Sequence, residues 1–415
     1  MSKHVLIVGS GVIGLCTAYY CVQHGFRVTV LESQPPDGDS CSLGNAGLVV
    51  PSHITPLTAP RNIAAGLRWL RDPAGPFYIH PRPRWDLIVW LAKLLKSANH
   101  ARVTRAAPLL RDMQYASRAC YEEFASNGIG DFGFTSNGLL EVCRTETQLS
   151  EYRHMADQLR DLGVPAEILT PDEAAVREPN IEMDICGAIY FPDDCHIIPA
   201  TFIRALREEL NRTGAELVYE TAVSGWRCEG SRVVAARTNG QEFTADEYVV
   251  SGGTRSQAIV RDLGMRLPLQ PGKGYSLTLT EPRQLPKTSL LLGEARVAVT
   301  PMDGQLRFAG TVELAAPDKS INERRVQAIR DAVMRYFPAF TRDDLNGIEP
   351  WSGLRPCSPD GLPYIGRVNR YRNLCIATAH AMMGVSLGPV TGKLTAEILA
   401  GEQPSIPIGL LSPDR

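Results

Sequence analysis

The sequence predicts an α/β fold: a Rossmann-like dinucleotide-binding domain, built as a βαβ unit with a strand meander, interrupted by an α+β domain whose antiparallel sheet would hold a substrate. Three observations carry this. An apolar run, Val5 to Val8, leads into Gly9-x-Gly11-x-x-Gly14 and a helical pattern. Short strands separated by turn residues follow Glu216. Two stretches of different character split the dinucleotide pattern, so the domain is read as discontinuous.

In order, the opening run has the composition of a strand buried on both faces, the helical pattern continues through Tyr20, and a second strand, Arg27 to Leu31, ends at Glu32. Gly9 permits a tight turn, Gly11 lets backbone approach a pyrophosphate, and Gly14 lets helix and strand pack closely, with the helix N-terminus turned to the phosphates. Glu32, 18 residues after Gly14, is placed to accept both ribose hydroxyls of an adenosine and would repel a 2′-phosphate. These residues leave FAD and NAD both open.

Pro56 to Pro83 reads as proline-rich and irregular, Trp85 to Ala98 and Ala106 to Ser126 as helices, and Phe132 to Val142 and Gly187 to Phe191 as strands. A helix, Pro199 to Arg212, opens on proline and stops at Gly214. The meander comprises Glu216 to Thr221, Val233 to Thr238 and Glu247 to Ser251, with turns at Gly230 and Asn239-Gly240, and it runs into Gly252-Gly253. Gly274 to Thr280, Ala295 to Pro301 and Gln305 to Ala309 are further strands, the last two joined at Asp303-Gly304. The resulting division is 1–75, 198–264 and 350–415 for the dinucleotide domain, and 76–197 and 265–349 for the substrate domain.

The 415 residues carry 43 Lys and Arg against 45 Asp and Glu, a formal charge of −2, with 44% hydrophobic and 21% charged residues. Disorder and a small stapled scaffold are excluded. The charge balance leaves no footprint for nucleic acid. Ten scattered cysteines show no zinc spacing, so they read as reduced core residues of a cytoplasmic chain without metal. The best apolar window, Leu87 to Leu95, contains Lys93 and is too short to span a bilayer, so the protein reads as soluble, or at most peripheral to a membrane.

The C-terminal part reads Trp351-Ser352-Gly353-Leu354-Arg355-Pro356-Cys357-Ser358-Pro359-Asp360-Gly361, then Pro363-Tyr364-Ile365-Gly366, a strand from Asn373 to Ala377, and His380, Gly384, Ser386, Gly388 and Pro389 opening a helix through Ala400. Together with the N-terminal glycines, Asn45-Ala46-Gly47 and Lys273-Gly274-Tyr275, this resembles the D-amino acid oxidase superfamily of FAD-dependent oxidoreductases, nearest its D-amino acid dehydrogenase small-subunit branch, over almost the whole chain. The resemblance implies FAD contacts at Gly9, Gly11, Val12, Ile13, Gly14, Glu32, Ser33, Ser42, Gly44, Asn45, Ala46, Gly47, Val223, Gly252, Gly253, His380, Met383, Gly384, Ser386 and Gly388. It also implies that Arg355 pairs with a substrate α-carboxylate, which a planar five-donor fork does better than lysine. Tyr275 resembles a position near substrate or flavin, or is a half-buried strand aromatic. Lys273 orients water near the flavin or faces solvent. His53 lies near the flavin or is structural. His380 stands where the family has Gly-His-Gly, but its neighbours here are Ala379 and Ala381.

Relatives with covalent flavin attach it near the position of Gly353, so noncovalent FAD is expected. The implied reaction is oxidative deamination of a D-amino acid to a 2-oxo acid and ammonia, the hydride leaving the α-carbon for flavin N5. The electrons would pass to a quinone, a partner flavoprotein or oxygen. Two alternatives stand beside it: oxidation of cyclic secondary amino acids such as D-proline or hydroxyproline, and a flavin-holding structural subunit of a larger dehydrogenase complex, with Pro56 to Pro83 as docking surface.

Overall fold

The structure, a computed structural model, describes residues 2–56, 58–60, 63, 66, 75–79, 84–314 and 318–415. Most of the proline-rich stretch Pro56 to Pro83 lies outside these residues, and so does the docking role expected of it. The opening strand is His4–Val8, with Val5, Leu6 and Ile7 fully buried. A continuous apolar run is what a strand covered on both faces requires, and it lies inside a six-stranded sheet. The order is Tyr364–Val368, Tyr371–Thr378, Glu247–Val250, His4–Val8, Arg27–Leu31, Glu216–Val218. Neighbours are parallel except the first two, which form an antiparallel pair.

Helix Val12–Gln23 covers one face of this sheet and is crossed by the last helix, Gly388–Ala400. The crossing is close because two glycines make it so. A Cβ on Gly392 would lie 2.5 Å from the Cys16 backbone, and one on Gly388 would lie 3.0 Å from Val12 Cγ2. The helix Pro199–Arg212 has the bounds its sequence indicates.

The expected meander divides between two sheets. Glu216–Val218 and Glu247–Val250 join the parallel sheet, whereas Gly225–Glu229, Arg232–Arg237 and Glu242–Phe243 form a separate antiparallel one. Burial separates them: all four residues of Glu247–Val250 are buried, while Arg232–Arg237 keeps both arginines at the surface. Turn signals mark the ends of strands but not the sheet they enter.

The larger sheet has nine strands. Its path runs Trp351–Cys357, Gln270–Leu279, Gln305–Leu314, Val297–Met302, Ser289–Leu292, Leu139–Cys143, Gly187–Phe191 and Glu167–Leu169, with Phe77–Ile79 also paired to Gln305–Leu314. Helix Glu323–Tyr336 packs Val326, Ile329 and Val333 into one core with Tyr275, Leu277 and Phe308.

Two expectations are corrected. The sheet is not antiparallel throughout, since Ser289–Leu292 with Leu139–Cys143 and Phe77–Ile79 with Gln305–Leu314 are parallel pairs; no hairpin joins these partners, so no turn dictates their direction. Of Phe132 to Val142 only the end is strand, because Gly133 and Gly138, at φ +67° and +79°, break the run and leave Thr135 a single bridge to His196. Trp351–Cys357, grouped with 350–415 in the expected division, hydrogen-bonds into the larger sheet and not the six-stranded one.

Candidate active site

The nucleotide end is shaped by glycines that tolerate no side chain. Gly9 has φ +107°, and a Cβ there would stand 2.8 Å from the Ser251 carbonyl; on Gly14 it would stand 1.9 Å from the Gly9 carbonyl. Gly11, the N-cap of the first helix, has only Ser42 Oγ near its missing Cβ, at 3.6 Å, so the space before the helix N-terminus is open. Ser42 Oγ accepts from Val12 N–H at 3.2 Å. Glu32 accepts from Ser10 N–H at 2.8 Å, Gln34 N–H at 2.9 Å and Ser33 Oγ at 3.1 Å. Burial alone would raise its carboxyl, but these donors hold it below the usual carboxylate range and keep it an anion.

The backbone carbonyl of Glu32 accepts from Thr221 N–H at 2.7 Å, which brings the Val223 turn beside the acid. Gly253, at φ +56°, follows Gly252, and Arg255 Nη1 reaches back to Ser33 Oγ at 2.8 Å. A cradle any Cβ would fill, a helix N-terminus and a fixed carboxylate fit the adenosine and pyrophosphate of FAD.

The loop expected to hold the isoalloxazine is fixed from three sides. Asn45 Oδ1 accepts from Gly47 N–H at 2.8 Å, and Gly44 presses so closely on the Trp351 indole that a Cβ would fall 2.2 Å from its ring. The third contact was not foreseen: Arg307 Nη1 donates to the carbonyls of Leu43 and Asn45, both at 2.9 Å, and its Nε to Thr278 Oγ1 at 3.1 Å. Arg307 is the single cation of Gln305–Leu314, the one sequence signal that could have marked it. Ala46 lies between these anchors.

At the last helix, His380 Nε2 meets Thr391 Oγ1 at 2.9 Å, and burial pushes the imidazole down to about 3, leaving it neutral. Its neighbours Ala379 and Ala381 have φ +71° and +49°, the left-handed conformation for which glycine is suited. The backbone path of Gly-His-Gly is therefore kept with alanines. Met383 N–H donates to the His380 carbonyl at 2.8 Å, and Gly384 follows in helical conformation. Ser386 is committed to protein partners, donating to Gln114 Oε1 at 2.5 Å and accepting from Val50 N–H at 3.0 Å. Gly388 is required by helix packing as well as by the free N-terminus, where no side chain caps the amides.

Arg355 lies on the edge strand Trp351–Cys357, directly opposite Gly272, with its guanidinium over Gly274, where a Cβ would be 2.2 Å away. Its Nη1 donates to the Thr311 carbonyl at 2.6 Å, and no carboxylate among the described residues pairs with it. Burial pulls the guanidinium below its ordinary value, eased only by the thiols of Cys41 and Cys357. Thr311, unforeseen from sequence, is held at φ +61° and buries an Oγ1 without a partner among the described residues. A β-branched residue in that conformation marks strain at a site.

Two of the other expected residues are not brought beside Arg355. Regular pairing of the two strands puts Lys273 and Tyr275 on the opposite face of the sheet. There Tyr275 Oη meets Glu313 at 2.9 Å in the core, and Lys273 Nζ meets Asp318 at 2.7 Å and Ser320 at 3.0 Å. Burial and then Glu313 push the Tyr275 phenol up. His53 Nδ1 lies 2.8 Å from Ser52 Oγ, itself 2.6 Å from Asp194 Oδ2. Burial lowers its imidazole, against Glu141, which raises it, and with Arg296, which lowers it further.

A family model described as FAD dependent oxidoreductase matches residues 4–398. The chain is 30% identical over 411 residues to a D-amino acid dehydrogenase of Granulibacter bethesdensis, covering 97% of each, and 31% identical over 414 residues to one of Vibrio vulnificus, covering 98% of each. Among solved structures, glycine oxidase from Geobacillus kaustophilus superposes with a TM-score of 0.79 at 23% identity, covering 100% of this chain and 99% of that one. An L-proline dehydrogenase from P. horikoshii does so at 0.75 and 17%, covering 99% and 97%.

Proposed function

The chain belongs to the FAD-dependent oxidoreductase family, and from that premise we propose that it is a D-amino acid dehydrogenase that deaminates its substrate oxidatively. FAD, held without a covalent link, supplies the two-electron sink that turns the amino acid into an imino acid, which water hydrolyses to a 2-oxo acid and ammonia.

The observation that carries the substrate class is Arg355: a guanidinium in an enclosed place, bonded to one carbonyl and to no carboxylate among the described residues. A cation left in that state calls for an anion from outside, and its remaining donors present a fork to an α-carboxylate. The glycine beneath it, Gly274, makes the room. Arg355 then fixes the carboxylate, and with it the α-carbon, so that positioning supplies much of the rate. The Gly388–Ala400 N-terminus and the Arg307-held loop 43–45 would hold the flavin ring, and the uncapped amides of the first would favour negative charge there. An amine bound in neutral form needs no general base from the chain, which agrees with the placement of Lys273 and Tyr275 on the other face of the sheet from Arg355.

Anaerobic flavin bleaching tests the reading. Small or cyclic neutral D-amino acids should bleach the holoenzyme while their L-forms leave it yellow, and acid precipitation should release intact FAD. Equal bleaching by L-enantiomers or uncharged amines overturns the substrate class; bleaching by nothing turns the chain into the flavin-holding subunit weighed above.

A further inference from the structure

Alternation along the strands puts His53 over the same face of the nine-stranded sheet as Arg355. Cross-strand partners share a face, and so do residues two apart on one strand. Arg355 therefore goes with Gly353, Gly353 with its partner Gly274, and Gly274 with Ser276. Ser276 pairs with Ala309, Ala309 with Ala298, Ala298 with Leu291, and Leu291 with Glu141. Arg307, two residues before Ala309, is on that face as well and holds the loop 43–45. Phe191, paired with Leu139 two residues before Glu141, meets the His53 ring edge-on at 6.4 Å. His53 is half-buried there, and its Nε2 has no partner among the described residues.

Behind the imidazole stands a chain of three groups. Asp194 Oδ1 accepts from Ser52 N–H at 2.9 Å, Asp194 Oδ2 lies 2.6 Å from Ser52 Oγ, and Ser52 Oγ lies 2.8 Å from His53 Nδ1. Asp194 and Ser52 are both buried. A hydroxyl has one hydrogen to give, and Ser52 Oγ has a claimant on either side. While Asp194 is an anion it takes that hydrogen, so Ser52 Oγ accepts from His53 and the ring carries its proton on Nδ1. Once Asp194 is protonated it donates to Ser52 Oγ, Ser52 donates to His53 Nδ1, and the ring carries its proton on Nε2. The two states differ by one proton, and the bonds balance: an N–H forms at Nε2 and breaks at Nδ1, that hydrogen passes to Ser52 Oγ, and the Ser52 hydrogen passes to Asp194 Oδ2. Burial lowers the His53 imidazole, so the ring is neutral in both states.

We propose that Asp194 and Ser52 are positioning residues that set the tautomer of His53, and so decide whether its Nε2 offers the space over the sheet a hydrogen-bond donor or an acceptor. Among the described residues the titratable and charged groups acting on this chain are Tyr115, Arg118, Asp193 and Cys195 at Asp194, and Glu141 and Arg296 at His53. Tyr115 Oη and Arg118 Nη1 are spent on Asp193, at 2.7 and 3.2 Å. Burial pushes the Asp194 carboxyl up to about 8 against its two bonds from Ser52, which brings the exchange within reach of ordinary buffers. What the switch does for turnover rests on the D-amino acid reading, under which the acceptor state can take a hydrogen bond from a substrate nitrogen and the donor state cannot; the switch itself does not rest on it.

Histidine-selective 15N NMR of the holoenzyme without substrate tests the proposal whatever the enzyme oxidises, because protonated and bare ring nitrogens give well-separated signals. His53→Gln identifies the His53 signals by their loss. The parent should carry the ring proton on Nε2 at about pH 6 and on Nδ1 at about pH 9.5, the ratio changing about tenfold per pH unit around the midpoint. Asp194→Asn, whose amide donates to Ser52 as the protonated acid does, should hold the Nε2 form at both ends. Ser52→Ala, which removes the link, should show one tautomer throughout. A network that is only structural leaves the parent in one tautomer at every pH, and that result overturns the proposal. So does a pH-driven exchange that persists in Asp194→Asn or in Ser52→Ala.

Discussion

At the scale of single residues, Arg355 separates a reading made by type from one made by place. Its Gly-x-Arg-Pro setting was legible because both the glycine beside it and the fork it offers are sequence properties. Lys273 and Tyr275 sit in an equally suggestive segment, yet strand alternation sends them through the sheet, and which face a residue takes is fixed by partners 80 positions away. Thr311 and Arg307 carried no motif at all.

Arg355→Met keeps the stem volume and removes the charge and all five donors. Leaving a substrate carboxylate unpaired in that enclosure costs about 2 to 5 kcal/mol, roughly 30- to 5000-fold in kcat/KM. FAD content and melting temperature should hardly change, since the guanidinium closes no ion pair. Steady-state kinetics beside FAD occupancy decides it; normal kcat/KM would remove Arg355 from the site.

At the scale of elements, the local signals were strongest where one segment explains itself. Arg27–Leu31 and Pro199–Arg212 match their expected bounds, and the glycine turn at Gly9 has the positive φ its place requires. What failed was allegiance: Trp351–Cys357 and the middle of the meander enter other sheets than their neighbours, because pairing partners are chosen over long separations that periodicity does not report. The turn around His380 is a case where sequence departs and conformation does not. At Ala381, partly exposed, left-handed backbone costs a side-chain-bearing residue about 1 to 2 kcal/mol, and the extra freedom of unfolded glycine returns part of this. Ala381→Gly should therefore stabilise by roughly 0.5 to 1 kcal/mol. Ala379 is fully buried, and losing its methyl costs about 0.8 kcal/mol, so Ala379→Gly should come out near neutral. Melting curves of the two variants test the contrast; equal shifts would refute it.

At the scale of the whole molecule, one buried acid ties folding to pH. Asp194 is fully buried and bonded to Ser52, and burial pushes its carboxyl up to about 8. In the unfolded chain it titrates near 4. Between those limits the folded state holds a proton that the unfolded state has lost, so this group's contribution to stability declines as pH climbs from about 4 to about 8, by about 1.4 kcal/mol per pH unit. Asp194→Asn, the same shape without the titration, should gain on the parent steadily between pH 5 and 8 in denaturant melts. Parallel curves would show that Asp194 stays ionised in the fold.

The order of the six-stranded sheet also sets a timetable. His4–Val8 is made first, but its neighbour Glu247–Val250 arrives some 240 residues later, and that strand's other neighbour, Tyr371–Thr378, later still. While the ribosome works, the glycine turn at Gly9 exists without the Ser251 carbonyl it rests against, and the edge of His4–Val8 that will take Glu247–Val250 has nothing to bond. Nearly the entire message must be translated before the sheet behind the glycine turn is complete, so its closure belongs to the end of synthesis and not to its start.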